Sequence, residues 1–318
     1  SQLVREFTKE IIQARKDENW FLPICFRLCS DLRLSAKAAD LAPRNRKGEK
    51  QSSFYEQAAA PIMECYRSCV SDSRSSVESS KRLSIMNLTN QLFRIYFRVN
   101  KLNLLKPLIR AIDHSTKEHE YFSMSDQVTY KFYLGRKAMF DSDLKTAEDS
   151  LDFAFKNCHP DCEKNKRLIL MYLIPVKMFL GHLPTVKLLR KHDLMEFQEV
   201  AEAVKQGNLL LLEDALSKYE PFFIKCGIFL MLEKLKIITY RTLFKKVSQI
   251  LGKHLIPLDA FLTALKFMEV DDVDADEVAC IVANLIYQGK IKGYIHYEKQ
   301  TLVVSKTGPF PPLSVVTS

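Results

Sequence analysis

Glycine is scarce in this chain, at 9 of 318 residues, and tryptophan occurs once. So little glycine excludes a collagen-like or glycine-rich flexible polymer, and no glycine-rich loop of the phosphate-cradling type is present. Long hydrophobic runs are missing as well. The longest, 168–180, falls short of the roughly 20 residues that cross a bilayer and contains Pro175 and Lys177, so no membrane-spanning helix is expected. Neither HExxH nor GxSxG occurs, and the 7 histidines are scattered without an evident nucleophile beside them. No catalytic residue and no cofactor are therefore expected. The first residues are already periodic and carry no charged and apolar leader, which reads as the core of a longer protein.

What the chain does have is apolar area. Hydrophobic residues make up 47% of it, enough for a large core and too much for a disordered chain. The net charge of +9 suggests an acidic partner, either nucleic acid or an acidic polypeptide. Eight cysteines lie mostly within apolar helical patterns, as in a protein of a reducing, intracellular compartment.

The periodicity is helical almost throughout. Residues 19–34 read as one amphipathic helix, and the polar, basic run 35–53 reads as a loop that breaks it. From Phe54 the pattern is helix, tight turn, helix. The turns fall near Val99 and Asn100, Phe140 and Asp141, Gly181 and His182, and Gly207 and Asn208, the earlier ones at the spacing of paired-helix repeats. "LGRKAMFDSDLKTAEDSLDFA" places Leu134, Gly135, Ala147 and Ala154 as a tetratricopeptide-like hairpin does, with Leu151 and Phe153 offered to the next pair.

After Tyr240 the plan changes. Leu243, Phe244, Val247, Ile250 and Leu251 form one apolar stripe, and Phe261, Leu262, Leu265 and Met268 form another. In a third, Asp274 and Glu277 make a capping box ahead of Val278, Ile281, Val282, Leu285 and Ile286. Then "GKIKGYIHYEKQTLVVS" alternates apolar and polar residues around a polar turn, as a two-stranded hairpin does. Three helices and a hairpin are the parts of a winged helix. The expected fold is mainly α: a right-handed superhelix of TPR-like hairpins over 1–222, a winged helix with a small β-hairpin over 223–310, and a tail over 311–318.

That order, with "AVKQGNLLLLEDAL" and "GIFLMLEKLKIITYRTLFKKV" before the winged helix, resembles the PCI domain of scaffold subunits in the proteasome lid, the signalosome and translation initiation factor three. Within that family, "NQLFRIYFRVNKLNLLKPLIRAID", "YKFYLGRKAMFDSDLKTAE", "PVKMFLGHLPTVKLL" and "PFPPL" are similar to the branch found in the second transcription-and-export complex. The resemblance implies a non-catalytic subunit, in the nucleus at the nuclear pore with a cytoplasmic share, that couples transcription to messenger RNA export. It implies two protein partners, a large scaffold of the germinal-centre-associated nuclear protein type and a small acidic protein of the deleted-in-split-hand/split-foot type. It also implies a winged-helix face for RNA or DNA without sequence preference. The competing expectation is a purely protein-binding subunit of the lid, signalosome or initiation-factor kind.

The residues themselves argue against sequence-specific DNA reading. The outward face of the third helix offers Glu277, Ala279, Cys280, Ala283, Asn284, Tyr287 and Gln288 and no Arg or Lys, and "EVDDVDADE" puts acids where phosphates would approach. A sequence-independent surface is expected from Arg241, Lys245, Lys246 and Lys253 on or just after the first helix, and from Lys290, Lys292, His296 and Lys299 in the hairpin. Partner contacts are expected at Arg94, Arg98 and Lys101, which follow helical spacing, and at Tyr287 and Tyr294. The pairs Cys25 and Cys29, and Cys65 and Cys69, share helix faces and allow four thiolates to meet. The usual zinc-knuckle spacing is absent, however, and free cysteine is a common small core residue, so no metal is expected there or at Cys158, His159 and Cys162.

Overall fold

The structure, a computed structural model, describes residues 1–15, 18–42, 53–74, 76–270 and 273–316. Its backbone forms two compact units, Ser1–Lys137 and Ala138–Ser318.

The first unit is helical. Helix α1 (Gln2–Phe7) continues as a wider π-helical segment (Thr8–Gln13), and α2 follows at Leu22–Leu41. The expected loop at 35–53 is corrected here: α2 runs through "SAKAADL" to Leu41, because three alanines among those residues favour helix and Ala36 is buried. The rest of that run, 43–52, lies outside the described residues. Asp40 on the last turn of α2 accepts from the backbone N–H of Phe54 and of Tyr55, both at 2.9 Å, and so caps the short α3 (Phe54–Gln57). Helices α4 (Ala59–Val70), α5 (Ile85–Arg98) and α6 (Leu105–Asp113) complete the unit, with most of α7 (Met124–Phe140). Asn100, at φ 55°, makes the expected turn after α5.

The second unit begins in the last residues of α7. Helices α8 (Leu144–Asn157) and α9 (Glu163–Phe179) are an antiparallel pair in which Ala147, Leu151 and Ala154 are fully buried. After α10 (Val186–Lys191), α11 (Glu196–Gln206) and α12 (Leu209–Lys218) form the last hairpin, followed by α13 (Glu220–Cys226) and α14 (Phe229–Glu233). The winged helix then comprises α15 (Lys236–Leu251), β1 (Leu255–Pro257), α16 (Leu258–Phe267), α17 (Ala275–Tyr287), β2 (Gly293–His296) and β3 (Thr301–Val304), with α18 (Leu313–Val316) in the tail. The sheet is antiparallel in the order β1-β3-β2, so the expected hairpin gains a third strand from Leu255 to Pro257.

One close approach joins the repeats to the winged helix. Gly207 ends α11 at φ +67°, and a Cβ there would stand 2.6 Å from the backbone nitrogen of Leu243 on α15. Only glycine lets this turn seat against α15, while Asn208 caps α12 by accepting from the Leu211 N–H at 3.0 Å. Leu209 accordingly belongs to the winged-helix core, with Phe244, Phe261, Val282 and Leu302. The compact units divide after Lys137, within α7. The first winged-helix stripe is also shorter than its periodicity suggests. Leu243 and Phe244 are buried, but Ile250 is 83% exposed.

Candidate nucleic-acid and partner interface

Of the eight residues expected to meet nucleic acid, two are taken up inside the protein. Arg241 is buried, donates from Nη2 to the Pro311 carbonyl at 2.6 Å, and holds its guanidinium 6.0 Å from the Phe310 ring. It fastens the "PFPPL" segment onto α15. Lys290 is buried as well, in the bend before β2, with Nζ donating to Gln288 Oε1 at 2.9 Å. Desolvation lowers both from their ordinary pKa values, and for Lys290 the nearby Arg241 charge adds to it. Neither presents its charge to a phosphate, which corrects their place in the expected surface. Period-two alternation failed at Lys290 because that residue precedes the strand.

The remaining six are distributed by the sheet. Val304 N–H donates to the His254 carbonyl at 2.9 Å and Ser305 N–H to the Lys292 carbonyl at 2.8 Å. These bonds hold Lys253 and Lys292 on either side of the end of β3, and the exposed Lys306 follows directly. The three lysines share one end of the sheet. The 297–300 turn, with exposed Lys299 and Tyr297, is at the opposite end, four residues or about 13 Å along β2. His296, opposite Thr301, is half-buried beside that turn. On α15, Lys246 is exposed and Lys245 half-buried. Lys306 escaped the sequence reading because only strand pairing reveals that it adjoins Lys253 and Lys292.

Helix α17 offers phosphates little. Asp274 caps it, accepting from Glu277 N–H at 2.8 Å, and Asp276 and Glu277 occupy its first turn. Of the expected acids, Asp271 and Asp272 lie outside the described residues. The exposed aromatics are better placed for contact, with Tyr287 90% and Tyr294 61% exposed. Tyr294 stands two residues after Lys292, within β2 and opposite Val303.

The stripe on α5 has partners within its own unit. Lys101 pairs with Glu56, and the Arg98 guanidinium sits 5.5 Å from the centre of the Tyr55 ring. Arg94 is half-buried, and its carbonyl accepts from the Tyr55 hydroxyl at 3.4 Å. These residues hold α3 against α5, which leaves them less to offer a second protein than their spacing suggests.

Sequence reading missed an apolar groove in the second unit. About 730 Å³ in volume, it is lined in part by Phe140, Ile224, Phe229 and Leu230, with Lys234 and Lys290 among its polar residues. Ile224 is 56% and Leu230 71% exposed, which is unusual for large apolar side chains clustered around one cavity. Residues on four separate segments form it, so no single periodicity announces it. Of the sulfur groups, Cys158 is buried while Cys162 is exposed. Among the described residues, one group gathers ligand atoms closely enough for a metal ion: Cys25, Cys29 and Cys65 in the first unit.

Comparison with known proteins places this architecture. The PCI domain family model matches residues 216–306. The chain is 58% identical to "PCI domain-containing protein 2 homolog" of Caenorhabditis elegans over 319 residues, covering 100% of this chain and 77% of that protein. It is 58% identical to "PCI domain-containing protein 2" of Xenopus laevis, covering 99% and 78%, and 56% identical to the protein of that name from Danio rerio, also covering 99% and 78%. All three carry the name of a domain and not of a reaction.

Proposed function

Because the chain belongs to the PCI domain-containing protein 2 family, we propose that it acts by contact, as a non-catalytic scaffold subunit of a nuclear complex coupling transcription to messenger RNA export at the nuclear pore. In this reading it docks a large scaffold protein of the germinal-centre-associated nuclear protein type and a small acidic protein of the deleted-in-split-hand/split-foot type. It also holds RNA or DNA without sequence preference. The observation that carries the nucleic-acid part is the shared sheet end of Lys253, Lys292 and Lys306, with Tyr294 beside it. Backbone recognition needs only cations on one surface, and an exposed ring adds a face on which a base can stack.

The test is binding of unrelated RNAs to the full chain at several salt concentrations, followed by fluorescence anisotropy. Lys253→Glu with Lys292→Glu is expected to weaken all of the RNAs alike, by about tenfold or more, and to flatten the salt dependence. Unchanged affinity removes this surface from the proposal. The second reading, a purely protein-binding subunit of the lid, signalosome or initiation-factor kind, is favoured by the apolar groove and by the acidic entry to α17. Affinity purification with mass spectrometry separates the two readings: export factors support the first, and lid or initiation-factor subunits the second.

A further inference from the structure

Half of the cysteines sit on two helices of the first unit, Cys25 and Cys29 on α2 and Cys65 and Cys69 on α4. Each pair is spaced i, i+4 and so lies on one helix face. All four are 0% exposed. The Sγ atoms of Cys25, Cys29 and Cys65 lie within 4.8 Å of one another. A tetrahedral zinc ion with bonds of about 2.3 Å to sulfur brings its thiolates to about 3.8 Å apart, so the trio is already within about an ångström of a ligand set.

The surroundings fit that use. The sulfurs belong to the buried core of the first unit, which also holds Ile12, Phe21 and Ile62 and keeps water away from whatever the thiols hold. The hydroxyl oxygen of Thr8 is 2.8 Å from Cys65 Sγ, while its proton is donated to the Val4 carbonyl at 2.7 Å. A lone pair of that oxygen therefore faces Cys65 Sγ. Charge selects the ion. Three thiolates with a divalent cation leave one negative charge, and with a monovalent cation two. The Lys81 ammonium is buried in the same unit and donates to the Ile12 carbonyl at 2.5 Å.

We propose that Cys25, Cys29 and Cys65 are thiolate ligands of one structural zinc ion, with the Thr8 hydroxyl oxygen at the fourth position. Binding replaces three S–H bonds with three S–Zn bonds and releases the thiol protons to solvent. The ion ties α2 to α4 and to the π-helical turn that carries Thr8. Zinc is redox-inert, so the step needs no oxidant. The site does not rest on the export reading, and its failure would leave that reading untouched.

The experiment uses the full chain, kept reduced, loaded with Zn²⁺ and desalted. About one zinc per chain is expected in elemental analysis, and Co²⁺ loading is expected to give the intense near-ultraviolet thiolate-to-metal absorption. Cys25→Ser and Cys65→Ser should each weaken zinc binding by at least about tenfold, whereas Cys162→Ser and Cys280→Ser keep it. Should the first two variants not fold, X-ray absorption of the zinc-loaded natural protein decides, with three sulfur neighbours at about 2.3 Å as the expected result. Folded natural protein retaining less than about 0.1 zinc per chain overturns the proposal, as does full zinc retention by the Ser variants. Stoichiometric copper in place of zinc after loading with both ions overturns the choice of ion.

Discussion

The core of the first unit and the core of the winged helix are built from different materials. The first encloses four thiols and, close by, a set of ionic and polar side chains. Asp72 accepts from the Lys81 N–H at 2.7 Å and from Arg74, Arg82 reaches Glu118 at 2.6 Å, and Arg33 donates to Gln91 at 2.7 Å. The second is carbon nearly throughout, from Leu258, Phe261 and Leu265 to Val278, Val282 and Leu302. Its buried cations, Arg241 and Lys290, are spent on the tail and on Gln288. A carbon core is sensitive to lost volume and, from mildly acid to neutral pH, indifferent to protons. A core bordered by buried charge answers to protons and to metal as well, because each polar group there depends on its partner.

The largest expected effect would sharpen this contrast. Phe261 is fully buried, with its ring centre 4.4 Å from that of Phe244. Phe261→Ala should destabilise the winged helix by about 3–5 kcal/mol, measured by hydrogen exchange over the winged-helix peptides, and by the same amount at mildly acid and at neutral pH. A loss that varied with pH would break the comparison.

Next comes Asp72. Burial of its carboxyl works to raise the pKa, but hydrogen bonds from Arg74 and from the Lys81 and Arg74 N–H groups win, and hold it at about 2. Its folded value is below the ordinary aspartate value of 3.8, so its contribution is complete above about 4 and is lost as the pH falls toward 2. That contribution is about 2 kcal/mol. Asp72→Asn should remove the acid-sensitive step from the unfolding of the first unit, read by circular dichroism across that window. An unchanged step would assign it to another carboxylate.

The smallest expected effect concerns Lys290. Its pKa is depressed by burial and by Arg241, so the charged form costs the folded state stability, and that cost is relieved as the pH climbs toward 10.5. Lys290→Met should stabilise the second unit at neutral pH by about 1 kcal/mol or less and abolish the alkaline gain. A clear loss of stability would show that the bond to Gln288 outweighs the desolvation of the ammonium.

Much of the fold was legible because it is local. The turns at Asn100, Gly181 and Gly207 and the cap at Asp274 stand where the sequence put them, since left-handed backbone and capping oxygens leave clear residue signatures. The hairpin was legible for the same reason. The loop expected at 35–53 overran into α2 because polar composition outweighed the helix propensity of its alanines. The candidate surface was read less well. Arg241 and Lys290 have the spacing of exposed residues, yet the sequence-distant "PFPPL" tail covers Arg241, which no periodicity reports, and Lys290 lies in the bend before β2, where it donates to Gln288.

The sequence by itself determined the helical pairs, the winged helix and the family, because propensity, capping and apolar period act within a few residues of one another. Only the tertiary structure decided which lysines share a sheet end, which cations are buried, and that Cys65 meets Cys25 and Cys29 from a second helix. Those outcomes depend on how separate elements pack, and packing joins residues that are dozens of positions apart in the chain.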